Sequence, residues 1–215
     1  MHILKLTTIS LLASSVLFSS QSVQAELVYN NSTDPTPVPF RPGTIEVGDE
    51  IILGGSGRTL TNFTFQYSGF SFSGTEKMQF RIYENDGALV SGSASPGSVL
   101  FDSGIFGIGV EGSQTLIFDE DFGLGLVVPD TFTWSIQFSD LGAEALASID
   151  LFDSIAVGNN FVSYWENDGG WILKEGPDGP IDFNATIEAV PEPSTIALGV
   201  MGAVAGIFAY RRRNR

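Results

Sequence analysis

The sequence predicts an all-β chain: an antiparallel jelly-roll-like β-sandwich followed by one C-terminal transmembrane helix. Three observations carry this. About ten short runs alternate apolar with polar residues, the period of two that marks a strand half buried against a second layer. Residues 26–190 hold 22 glycines and 22 aromatic residues among 165, which suits turns that need unusual dihedrals and inner faces that need bulk. At the C-terminus the chain becomes a proline-rich elbow, an uncharged apolar run and a cluster of arginines. Alternation sets the face of each side chain and not the order of the strands, so an up-and-down barrel and an immunoglobulin-like Greek key fit the same pattern. No internal repeat is visible, which disfavours a solenoid or propeller.

Residues 1–25 read as a signal peptide. His2 and Lys5 are basic, 9–18 are mostly apolar, and Val23-Gln24-Ala25 offers a signal peptidase its site after Ala25. The mature chain then starts at Glu26. Residues 26–44, with Pro35, Pro37, Pro39 and Pro42, form an extended lead-in. The β-sandwich domain is placed at 45–189. Its first run, 45–53, puts Ile45, Val47, Ile51 and Leu53 on alternate positions, and 62–72 sets Phe63, Phe65 and Tyr67 against polar neighbours. Within 77–84, Met78, Phe80 and Ile82 face one way and Gln79, Arg81 and Tyr83 the other. A short run at 99–101 precedes 114–118, where Leu116 and Phe118 point inward. The clearest alternation is Phe132, Trp134, Ile136 and Phe138 within 131–139. Further runs lie at 147–152, 161–165, 171–174 and 183–188. The one helix-like phrase, at 143–147, is too short to organise anything.

Charge and composition exclude several functions. The whole chain carries a formal net charge of −15, whereas 26–190 has 24 acidic and 5 basic residues, a net −19. Such a surface repels phosphate, so nucleic acid is excluded as a partner. It suits divalent cations, a basic partner or a plain extracellular surface. The chain has no cysteine, and its one histidine is His2. The mature region therefore has no thiolate nucleophile, no cysteine- or histidine-bound zinc and no imidazole for a triad.

Three groups are candidate sites. Asp119, Glu120 and Asp121, read as a turn ending at Gly123, gather carboxylates of the kind calcium prefers, although a solvated acidic turn is the first reading of them. No other cofactor is expected. Tyr164, Trp165 and Trp171, flanked by Asn159, Asn160, Asn167 and Asp168, form either a sugar-binding platform or core packing. For glycoside hydrolysis, Glu84-Asn85-Asp86 is similar to the Glu-x-Asp-x-Glu strand of laminarinase-like β-jelly-roll glycosidases. Ala88 stands where the last glutamate belongs, so the pattern is broken and no enzyme is expected.

The third group is the tail, 190–215. Pro191, Glu192 and Pro193 form the elbow, residues 195–210 the apolar run, and Arg211, Arg212, Arg213 and Arg215 the end. An uncharged stretch followed by arginines acts as a stop-transfer segment, leaving the arginines in the cytoplasm and the preceding domain exported. The run has 16 residues, short of the roughly 20 that span a hydrocarbon core, so it makes a marginal anchor. This tail resembles the PEP-CTERM sorting signal of Gram-negative bacterial proteins. The resemblance implies recognition and processing by an exosortase, a membrane-embedded cysteine protease or transpeptidase, and association with exopolysaccharide or biofilm matrix. The protein would cross the inner membrane once, domain on the periplasmic side, and pass after processing to the cell surface or matrix. Residues 47–69, the strand at 78–83 and the turn Glu84-Asn85-Asp86-Gly87 are also similar to extracellular β-sandwich domains that precede such anchors, some of which resemble carbohydrate-binding modules. The expectation is thus a non-catalytic exported surface or matrix protein. The alternatives are a module that binds polysaccharide and, less favoured, a glycoside hydrolase.

Overall fold

A 17-residue strand is the spine of one layer. The computed structural model describes residues 24–176 and 181–191. In chain order its strands are β1 (Glu26–Asn30), β2 (Glu46–Ile52), β3 (Gly57–Ser73), β4 (Lys77–Glu84), β5 (Leu89–Val90), β6 (Ser93–Ala94) and β7 (Val99–Asp102). There follow β8 (Phe106–Gly107), β9 (Glu111–Val127), β10 (Thr131–Ser139), β11 (Leu146–Ile149), β12 (Asn159–Asn167), β13 (Trp171–Glu175) and β14 (Thr186–Pro191).

All pairings are antiparallel. In the first sheet β9 follows one edge of β3, while β14 and then β11 share the other, and β1 closes the sheet beside β14. The second sheet runs β13-β12-β2-β10-β4-β7, with β8 on the start of β4, and β5 and β6 make a separate small hairpin. Successive long strands change sheet from β1 to β4 and again from β9 to β12. The first strand pairs with the last, β2 with β12, β3 with β11 and β4 with β10.

The two inner faces meet in an aromatic core. Phe63 and Phe65 of β3 lie 5.3 and 5.1 Å from Trp134 of β10, and Phe80 of β4 lies 4.9 Å from Phe63 and 5.0 Å from Phe118 of β9. These centroid separations fall in the range aromatic pairs prefer. Phe132, Trp134, Ile136 and Phe138 are all fully buried, as their alternation requires.

One expectation shifts. The lead-in begins with a strand: in β1, neighbouring Val28 and Tyr29 are both buried, so no alternation announces it. Farther on, Pro35 and Phe40 bridge to Phe152 and Ile149. Among the described residues no helix is long and apolar enough to cross a membrane. The predicted span at 195–210 and nearly all of the predicted signal, 1–23, lie outside the described residues.

Candidate functional site

The alternation that sends Val47, Asp49 and Ile51 of β2 inward sends Glu46, Gly48 and Glu50 to the outer face of the second sheet. There they meet Thr133 and Ser135 of β10, Arg81 and Tyr83 of β4, and Trp165 and Asn167 of β12. Glu46, 4% exposed, is the hub. Its Oε1 accepts the hydroxyls of Tyr83 at 2.9 Å and Ser135 at 2.6 Å and pairs with Arg81 Nη1 at 2.9 Å, while Oε2 accepts Asn167 Nδ2 at 3.0 Å. A carboxylate removed from water needs such a full set of donors. Arg81 also reaches Asp102, which takes a bond from Gln79 at 2.7 Å. Burial, then the Glu46 charge, raises the Tyr83 phenol.

The sheet curls over this network. Three strands separate β4 from β13, a lateral distance of roughly 19 Å on a flat sheet. Yet the rings of Tyr83 and Trp171 meet edge to face at 5.4 Å. Toward the other end, Thr133 Oγ1 donates to Asn85 Oδ1 at 2.8 Å and Trp165 Nε1 donates to Glu50 Oε2 at 3.3 Å. Burial holds the Glu50 carboxyl above its ordinary range against that indole bond. Gly48 keeps the floor flat, since a Cβ there would lie 2.8 Å from Thr133 Cγ2 and 2.9 Å from the Trp134 carbonyl. Glu46 and Glu50 are four residues apart on one strand, hence roughly 13 Å between Cα atoms.

The predicted aromatic cluster is divided. Tyr164 and Trp165, consecutive on β12, face opposite ways: Tyr164 packs in the core 5.0 Å from Phe40, and Trp165 is buried on the outer face. Trp171 alone of the three is partly exposed. The Glu46 hub escaped sequence reasoning, although the alternation that assigned Gln79, Arg81 and Tyr83 to the outer face was the signal pointing to it.

The acidic segment is a strand and not a turn. Asp119, Glu120 and Asp121 lie within β9, opposite Thr64, Phe63 and Asn62. Asp119 accepts Asn62 Nδ2 at 2.6 Å, Asp121 accepts the Gly123 N–H at 2.8 Å, and Glu120 turns to the other face. Glu120 lines a hollow of about 420 Å³ with Phe101, Asp102, Ser103, Phe106 and Phe118. Burial, then the charges of Asp119 and Asp121, raises its carboxyl. The three carboxylates therefore do not converge. Among the described residues no three His, Cys, Asp or Glu side chains are grouped to hold a metal ion.

At the end of β14, Pro191 sits opposite Gly57 of β3. Glu192, Pro193, Arg211, Arg212, Arg213 and Arg215 lie outside the described residues. The family model for the PEP-CTERM protein-sorting motif matches residues 189–213. The chain carries a PEP-CTERM sorting motif. That motif implies exosortase-dependent sorting of a surface or secreted β-sandwich protein. Its first three residues, 189–191, belong to β14, so sorting signal and sandwich share a strand. No curated protein and no solved structure matches the chain significantly.

Proposed function

We propose that the chain is a non-catalytic exported protein, freed of residues 1–25 by signal peptidase and held in the inner membrane through 195–210. Exosortase then processes it near Pro191-Glu192-Pro193 and delivers the sandwich to the cell surface or an exopolysaccharide matrix. The observation that carries this is the PEP-CTERM match, set directly on the last strand of a β-sandwich. The nested pairing of first with last strand, through to β4 with β10, supports a jelly-roll-like reading of the domain. Glu46, only 4% exposed, has both oxygens occupied by Tyr83, Ser135, Arg81 and Asn167, which supports a non-catalytic one. Fractionation of the producing bacterium tests the proposal. The native chain is expected at the surface and in the medium, and Glu192→Ala with Pro193→Ala is expected to leave it in the inner membrane. The same distribution for both would sink the proposal.

A second reading, polysaccharide binding, rests on Trp171, whose partly exposed ring meets Tyr83 and stands opposite Asn167, both of which donate to Glu46. In gels containing the producer's exopolysaccharide, the native domain should be retarded and Trp171→Ala should not. Equal mobility counts against it.

A further inference from the structure

Both ends of the sandwich leave it at one place. Because β1 and β14 are antiparallel, Glu26 at the start of one stands opposite Ala189 near the end of the other. Next to them lies the 54–57 turn, tied from both sides. Glu26 Oε1 accepts the N–H groups of Ser56 at 2.7 Å and Gly57 at 2.5 Å and the Ser56 hydroxyl at 3.1 Å. Arg58 Nη1 donates to the carbonyls of Gly54 at 3.2 Å and Gly57 at 2.6 Å, and its guanidinium pairs with Asp130. Gly57 is in turn the residue opposite Pro191.

We propose that this end, built from Glu26, Ser56, Gly57, Arg58 and Asp130, is the surface that presents the sorting tail to its membrane-embedded processing enzyme, and that release of the last residues of β14 from the sheet limits processing. The proposal rests on the exosortase reading above. A peptide held in a sheet cannot enter an active-site cleft, so processing follows the population in which the strand end has opened. Ala189 is held between Glu26 and Leu60, while Val190 and Pro191 rest on β3 alone. The end is built to peel. Register shifts fall between Glu188 and Ala189 and again between Val190 and Pro191, and proline brings no N–H to the ladder. The Glu26 bonds to the 54–57 turn hold β1 against that end and set how often it opens. With no linker between Pro191 and the motif's Glu192, the enzyme and the bilayer must face this end of the domain.

The test is a pulse-chase of the full chain in the producing bacterium, read by intact mass, which also verifies the start at residue 26. Glu26→Ala should be processed about five-fold faster, the effect of losing one net hydrogen bond's worth of closure. A flexible Gly/Ser insert of about eight residues between Val190 and Pro191 should speed processing at least as much. With the insert in place, Glu26→Ala should add nothing. An insert-bearing chain processed at the native rate overturns the proposal, as does a Glu26→Ala effect that persists beside the insert. A native chain left unprocessed in the presence of exosortase overturns the sorting reading itself, and the inference with it.

Discussion

Asp49 shows how much the alternation of β2 decides. Its side chain lies between those of Val47 and Ile51 on the inner face, fully buried, with Oδ2 accepting the Phe183 N–H at 3.2 Å and Oδ1 without a partner. Burial first, then the Asp182 charge, raises its carboxyl well above the ordinary range. Such a group favours folding most when it is protonated in both states. Above the unfolded value of about 3.9, the unfolded chain releases its proton first, so stability falls with rising pH until the folded carboxyl also ionises. Asp49→Asn keeps the acceptor for Phe183 and removes this dependence. Thermal melts from pH 4 to 8 should show the variant gaining on the native protein as pH rises, and parallel profiles would contradict the assignment. Gly48→Ala, on the opposite face of β2, forces β2 from β10 and should cost about 1–3 kcal/mol in urea titrations. Sequence patterning gave Val47 and Ile51 their inward places. The inward carboxylate was hidden because Asp49 sits where the pattern calls for an apolar residue.

Among the elements, β10 was legible because four large apolar side chains alternate without interruption. β9 was not. Gly123 and Gly125 look like turn residues, and both do adopt positive φ, 59° and 94°. They form a bulge, the register passing from Leu60↔Leu126 to Asn62↔Asp121, and the strand resumes beyond it. The same signal serves turn and bulge, so local sequence could not place Asp119, Glu120 and Asp121 on a strand that separates them. On β12 strict alternation already implies that Tyr164 and Trp165 face apart, and the structure makes their energetic roles unequal to that of Trp171. Trp165→Ala removes a fully buried indole and the donor to Glu50, and should cost about 3–5 kcal/mol. Trp171→Ala, losing a partly exposed ring, should cost less than half as much. Denaturant unfolding of the two variants checks the order.

For the molecule as a whole, the two-layer all-β architecture followed from alternation, glycines and aromatics, while the neighbours of each strand did not. Pairings such as β1 with β14 join residues more than 150 positions apart, as in the Ala185 N–H to Asn31 Oδ1 bond of 2.7 Å. No local pattern encodes them. They have a consequence for export: β14 occupies the middle of its sheet, so the first sheet is complete only when the last strand has crossed the membrane. The tail was legible because proline elbow, apolar run and arginines are contiguous. The most direct measurement is therefore the intact mass and C-terminal peptide of the protein from envelope and medium, with and without the exosortase. A form starting at Glu26 and ending near Pro191-Glu192-Pro193, absent when the exosortase is missing, is the predicted result. A chain that retains Arg211, Arg212, Arg213 and Arg215 in both strains would contradict sorting and leave a plain membrane-anchored protein.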